Sequence, residues 1–261
     1  LPTKPAGSQK GMYIPFQEDE NTLWYEKGIP LNVLLAYCEA LMYWPNKTFL
    51  HAGAVAKDKE AWVFTGGGNV GKTSAVLNLL REGYEYLSDD WLIVGEGIAY
   101  PLPKPIHIFD YNLRDDEIAK SVLGLKRFFY KPLFKLLDFG RRYAPHRYIR
   151  YALTTLKPVY SVSLQTINPR SKVACPSEIS KVFYLERKNV KNIEIIENIS
   201  AEDLAKRMMY VNLYEWNFFF REYFKYAFLY GIKNTKIENR SKHDFRILYD
   251  SFSRAKLYRM T

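Results

Sequence analysis

Cysteine is nearly missing from this 261-residue chain: Cys38 and Cys175 stand far apart and make neither metal nor redox spacing. That excludes a disulfide framework and a cysteine zinc site, and reads as two buried, reduced thiols in a cytoplasmic protein. Histidine is as sparse, four in all, with no zinc spacing and no Ser-His-Asp ordering. No long apolar run occurs either. The most apolar late stretch, Met208 to Leu229, is interrupted by Glu215, Arg221, Glu222 and Lys225, so it does not read as a membrane span. No signal peptide is visible, and because Leu1 is not Met the start reads as trimmed. Repeats are missing too. Acids are in deficit, 28 against 38 Lys and Arg, and the resulting net charge of +10 points to anionic partners. What is present is core-forming: hydrophobic residues make up 48% and aromatics 16%, which excludes a disordered chain.

Among the 14 glycines, one group is organised. Residues 61 to 77 contain Gly66-x-x-x-x-Gly71-Lys72-Thr73 between an apolar, β-branched and aromatic run (Ala61 to Thr65) and a segment of helical spacing in which Val76, Leu77 and Leu80 share a face. A strand that turns through glycines into a helix aims backbone N–H groups and the positive end of the helix dipole at one point, where an anion is stabilised. The pattern therefore predicts a nucleotide phosphate held by Gly66, Gly67, Gly68, Asn69, Val70, Gly71, Lys72, Thr73 and Ser74. Lys72 would reach the phosphate oxygens and Thr73 would ligate Mg²⁺. ATP and Mg²⁺ are the expected cofactors, and Lys72 is expected to be exposed. A glycine-rich hairpin is the plainer alternative.

Taken in order, Leu1 to Gly11 reads as an arm and Pro30 to Trp44 as a helix stopped by Pro45. Thr48 to Ala56 and Ala61 to Thr65 read as strands joined by the polar turn Lys57 to Glu60. Gly83 reads as a helix C-cap, Tyr84 to Val94 and Ile98 to Leu102 contain strands, and Pro101 to Pro105 forbids regular helix. Val159 to Leu164, Lys181 to Leu185 and Asn192 to Ile196 read as further strands. Ser200 is the N-cap of a helix running from Ala201 towards Tyr230, aromatic on several sides and so buried or covering a partner, and Asn234 to Thr261 reads as a closing helix.

Asp89-Asp90 is the second informative group. Phosphoryl transfer to an alcohol uses one carboxylate near Mg²⁺ and another that accepts the hydroxyl proton. An ordinary Ser-Asp-Asp turn is the alternative. His51 reads either as a site residue or as a histidine satisfied within a strand.

Together these residues carry a resemblance. His51-x-Gly53 on a strand, the phosphate loop after a polar turn, Arg81-Glu82-Gly83-Tyr84, Ser88-Asp89-Asp90 and Pro103-Lys104-Pro105 resemble the HPr kinase/phosphorylase family, and more broadly its relatives with a phosphoenolpyruvate-carboxykinase type of nucleotide core. The likeness spans roughly residues 49 to 108. It implies transfer of the γ-phosphoryl group of ATP to a hydroxyl, with Lys72 and Thr73 on phosphate and metal, Asp89 as base, Asp90 as metal contact and His51 beside them. The separate N-terminal domain of the bacterial enzyme and its glycine-rich segment after the core are not matched. HPr is therefore not the expected acceptor; a Ser of another peptide or protein, or a small hydroxyl compound, is.

Residues 120 to 157 hold ten cations (Lys120, Lys126, Arg127, Lys131, Lys135, Arg141, Arg142, Arg147, Arg150 and Lys157) against Asp138 alone, interleaved with Phe128, Phe129, Tyr130, Phe134, Tyr143, Tyr148 and Tyr151. This suits an anionic acceptor, RNA included, with Lys104, Arg141, Arg142 and Arg147 as contacts. It equally suits amphipathic helices that pack their rings inward and solvate their charges, and less well a membrane surface. The sequence thus predicts an α/β fold: a mixed β-sheet phosphate-loop core of the HPr kinase and phosphoenolpyruvate carboxykinase type with additional helices, especially C-terminal. Residues 1–46 form an arm and helix, 47–198 the core with a basic helical insertion at about 112–157, and 199–261 a C-terminal helical portion that can belong to the same domain. The function expected is an ATP-dependent kinase. The other classes are a kinase or NTPase acting on nucleic acid through residues 120–157, and a nucleotide-binding module without chemistry.

Overall fold

The computed structural model describes residues 45–260 apart from 110, 144–145, 147, 149–158, 188–194, 197–198 and 232. The expected arm, the helix at Pro30 to Trp44, Cys38 and Arg147 lie outside the described residues. The chain folds as α/β, with helices on both faces of one mixed sheet.

Its central hairpin follows from local chemistry. Strand β2 (Ala52–Lys57) pairs antiparallel with β3 (Glu60–Gly66), Lys57 opposite Glu60. The two-residue turn holds Asp58 and Lys59 at φ 53° and 66°, the left-handed pair that matches strand twist. The run expected as one strand from Thr48 to Ala56 is two, because His51 separates β2 from β1 (Thr48–Leu50). Likewise Tyr84 to Val94 divides at Asp89–Trp91 into β4 (Glu85–Ser88) and β5 (Leu92–Gly95). The two breaks face each other: β2 pairs with β4, β1 pairs with β5, and Ala52 N–H donates to the Asp90 carbonyl at 3.2 Å.

β6 (Ile98–Tyr100) and β9 (Ser177–Leu185) complete the order β1-β5-β6-β9-β3-β2-β4. The pair β3–β9 is parallel. A separate two-stranded sheet joins β7 (Ile106–Phe109) to β8 (Val159–Val162). A correction concerns the C-terminus: the expected helix from Asn234 onward ends at Ser253, and β11 (Lys256–Met260) returns to pair in parallel with β9 and antiparallel with β10 (Ile195–Ile196). Nothing in Lys-Leu-Tyr-Arg-Met announces a strand locally; the open flank of β9 makes it one.

One sheet face packs on helix α1 (Lys72–Arg81) through Val76, Leu77 and Leu80, with Gly83 at φ 85° closing the helix as expected. The other face, small-residued at Ala52, Ala54, Ala56 and Ala61, admits two helices. These are α5 (Ala201–Glu215) and α8 (Arg240–Ser253), which add Leu204, Ala205, Met208, Leu248 and Phe252 to the core. Ser200 caps α5 by accepting from Asp203 N–H at 3.0 Å.

The long helix expected to run to Tyr230 breaks at Trp216, which is buried against Trp91 (ring centroids 5.3 Å apart) and Phe49 (6.4 Å); α6 (Asn217–Tyr230) follows. In the basic region, α2 (Asp116–Leu123) docks on α1 through Arg81 and Asp115, and α3 (Arg127–Tyr143) follows. Phe128, Phe129, Phe139 and Tyr143 of α3 are exposed, so the inward packing of rings expected for an amphipathic helix does not hold for them. Cys175 is exposed rather than buried, a second correction. A four-residue α4 (Leu164–Ile167), α7 (Thr235–Glu238) and two single 3-10 turns (Asn112–Arg114 and Gly124–Lys126) are also present, and among the described residues no helix is long and apolar enough to cross a membrane.

Candidate functional site

The turn between β3 and α1 is where the glycine requirement is most specific. Gly66 sits at φ 140°, and a Cβ there would lie 2.4 Å from the Leu185 carbonyl oxygen of β9. Only glycine lets the loop leave the sheet so close to the neighbouring strand. Gly67, Gly68 and Asn69 are exposed, and α1 begins at Lys72 directly after Gly71.

Lys72 itself is 7% exposed, contrary to the expectation of a solvated lysine. Its Nζ folds back to donate to the carbonyls of Gly66 (3.2 Å) and Gly67 (2.6 Å). Burial is the main cause that depresses its pKa to about 8, opposed by the negative charges of Asp90, Asp89 and Glu215.

One helical turn of α1 then presents Thr73 to Asp89. The Thr73 hydroxyl lies 3.0 and 3.2 Å from the two Asp89 carboxylate oxygens, while Ser74 accepts from Asn112 Nδ2 at 3.2 Å and so ties α1 to the next segment. Asp89 is 3% exposed, and burial raises its carboxyl to about 6, partly offset by the Thr73 bond. Helix and strand meet this closely because residue 53 of β2 is glycine: a Cβ there would stand 2.8 Å from Val76 Cγ2 and 3.4 Å from Asp89 Oδ1.

Asp90 points elsewhere. It adopts φ 78°, an unusual left-handed conformation for a residue other than glycine, and leaves 40% of its side chain exposed. Lys104 reaches it from the irregular Pro101 to Pro105 segment, Nζ to Oδ2 at 2.6 Å. His51, in the β1–β2 break, approaches Asp90 Oδ1 with Nε2 at 3.9 Å. His51 as a whole is 7% exposed, and its ring packs edge-on to Trp91 at 5.3 Å. Burial first, then Lys72, lowers its pKa to about 4, so it is neutral near pH 7.

One residue escaped sequence reasoning. Glu215, the last residue of α5, brings Oε1 to 4.0 Å from His51 Nδ1, and burial together with Asp90 raises its pKa. It lies 125 residues beyond Asp90 in the chain, at a helix end that no local signal marks; the break at Trp216 delivers it.

The structure thus brings together the Gly66–Ser74 turn, Lys72, Thr73, His51, Asp89, Asp90 and Lys104. Arg141 and Arg142 belong to α3, but their side chains, like all of Arg147, lie outside the described residues. Thr73 and Asp89 form an all-oxygen pair of the kind Mg²⁺ prefers. No group of three or more His, Cys, Asp or Glu suited to a metal occurs among the described residues. Compared with protein-family models and with curated proteins, the chain gives no match.

Proposed function

We propose that the chain is an ATP-dependent kinase that transfers the γ-phosphoryl group to a hydroxyl acceptor, on a phosphate-loop core of the HPr kinase and phosphoenolpyruvate carboxykinase type. The observation that carries this reading is the gathering of Lys72, Thr73, Asp89, Asp90 and Lys104 at the end of a strand–glycine turn–helix unit. The N–H groups of residues 67–73 and Lys72 would hold the phosphates, and Thr73 with Asp89 would hold Mg²⁺. Bound there, the ion would neutralise charge on the transferring phosphoryl group.

This exchanges the roles expected for the two acids. Asp89 is the buried partner of the metal-binding hydroxyl, whereas Asp90 is the accessible carboxylate. Asp90 would take the acceptor's proton as its oxygen bonds phosphorus and the P–O bond to ADP breaks. Lys104 would steady Asp90 and the transferred group, and neutral His51 would bound the pocket.

A second reading has one observation in its favour: the exposed rings of Phe128 and Phe129 stand among cations, with Arg127 over the Phe128 ring at 4.9 Å, as a nucleic-acid face would require. One experiment addresses both. With γ-labelled ATP and Mg²⁺, a cell lysate split into protein, RNA and small-molecule fractions should acquire label in one fraction. Lys72→Met should abolish this, and Asp90→Asn should slow it by about 10² or more. Label appearing only as free phosphate, or unaffected by both variants, overturns the kinase reading.

A further inference from the structure

The mouth of the site is unevenly charged. Lys104 pairs with Asp90 at 2.6 Å, and Lys72 spends its hydrogen bonds on the Gly66 and Gly67 carbonyls. Glu215 makes no such contact: no lysine or arginine forms an ion pair with it among the described residues, although the charge of Lys72 reaches it, and its side chain is 37% exposed. Between Asp90 and Glu215 stands His51, buried on more than nine-tenths of its surface, with Nδ1 making no hydrogen bond among the described residues and lying 4.0 Å from Glu215 Oε1. A carboxylate with no cation in ion-pair contact and a buried ring nitrogen with no hydrogen-bond partner among the described residues lie side by side. Burying a polar atom unsatisfied costs about 1–3 kcal/mol, so such an arrangement is held for something that completes it.

Charge and geometry select the completing group. Three acids (Asp89, Asp90 and Glu215) face two lysines (Lys72 and Lys104) here, and bound ATP–Mg²⁺ would add further negative charge. An anionic acceptor would meet Glu215 with only the charge of Lys72 to offset it. A group rich in donors and carrying positive charge would bridge Glu215 Oε1 and His51 Nδ1, leaving Asp90 free for the hydroxyl.

We infer that Glu215 and His51 form a cation-recognition subsite, and that the acceptor is a hydroxyl compound bearing an ammonium or guanidinium group near its hydroxyl. This rests on the kinase reading and narrows its acceptor. The chemistry is met by a serine peptide with a neighbouring lysine, arginine or free amino group, and by a small amino alcohol. It sets the charge preference of the mouth apart from that of the basic residues 120–157, whose anionic attraction then serves ATP or a distal part of the acceptor rather than the reacting end.

The test uses the full chain with ATP–Mg²⁺ and two pairs of probes: a serine peptide with lysine or with norleucine beside the serine, and ethanolamine against ethylene glycol. Binding is read from tryptophan fluorescence, to which Trp91 and Trp216 contribute with rings 5.3 Å apart beside His51, and transfer from γ-label. The charged member of one pair should bind at least about tenfold more tightly, the scale of one charge-assisted hydrogen bond. The pair that shows the preference tells peptide from small molecule. Glu215→Gln should erase the preference, and Glu215→Lys should reverse it towards a serine peptide with glutamate beside the serine. Equal affinity within both pairs, or a preference that survives both variants, overturns the subsite. Glu215-dependent preference without transfer to any probe overturns the kinase reading and leaves the subsite standing; transfer without charge preference does the opposite.

Discussion

On the proposed reading, Asp89 would have to do two opposed things: be buried, and be charged when Mg²⁺ binds. Burial raises its pKa from the ordinary 3.8 to about 6. The sign follows from linkage. A carboxyl that holds its proton more tightly when folded contributes stability fully present below about pH 4, which is lost as pH rises through about 6. By pH 7.5 the ionised group costs the folded state about 3 kcal/mol. Asp89→Asn carries no such charge. In urea titrations its stability advantage over the parent should therefore widen by about 1–2 kcal/mol from pH 5 to pH 7.5, while Mg²⁺-dependent ATP binding is lost. A constant difference between the two pH values would show that the carboxyl ionises without penalty. In the parent, ATP–Mg²⁺ affinity should climb through pH 6 as the proton leaves. Lys72 is the mirror case: its depressed pKa contributes stability above about 10.5 that is lost as pH falls through about 8. Both charged groups are thus under strain at neutral pH, which binding would relieve.

Elements, more than residues, decide how close these groups come. The separation of α1 from β2 is set at Gly53, where a methyl group would overlap Val76 Cγ2 at 2.8 Å and crowd Asp89 Oδ1 at 3.4 Å. Gly53→Ala should push the helix off the strand. Overpacking of this kind costs about 1–3 kcal/mol, and a displaced Thr73 would no longer bond Asp89. A fall in denaturation midpoint together with weakened ATP–Mg²⁺ binding is expected; an unchanged midpoint would mean that α1 adjusts freely. This part of the site was legible in the sequence, because the phosphate-loop spacing, the Ser88-Asp89-Asp90 run and His51-x-Gly53 are short-range patterns whose geometry is fixed by a strand, a turn and a helix. The burial of Lys72 was not legible, since it depends on the side chain folding back onto Gly66 and Gly67. Nor was Glu215. Its place is set by where α5 stops, and α5 stops because Trp216 packs beside Trp91 and Phe49, residues more than 120 positions away. Helical periodicity runs straight through that break.

At the scale of the molecule, the last strand matters most. Helix signals set a helical portion after the sheet core, open to belonging to the same domain, and α5 and α8 contribute Leu204, Met208, Leu248 and Phe252 to the same apolar cluster as Ala54, Val63 and Leu92 of the sheet. β11 then pairs with β9 from Lys181 to Leu185, the stretch whose other edge carries β3 and ends beneath the Gly66 turn. Tyr258 stacks on Phe183 at 5.1 Å, and Arg259 binds the Glu186 carboxylate with Nε at 2.9 Å. Parallel partners far apart in sequence are not signalled by local propensity, because their stabilisation comes only from the completed sheet. Such weaving predicts one cooperative unfolding transition, with tryptophan fluorescence and far-ultraviolet circular dichroism coinciding. Removal of residues 255–261 should strip five ladder positions from β9 and expose its edge beside the Gly66 turn. The truncated chain should unfold at much lower denaturant as a whole, lose ATP–Mg²⁺ binding and aggregate through the bared strand. If it instead kept the sheet and the Gly66 turn while only α5 to α8 melted, the helices would be a separate unit and the strand a mere appendage.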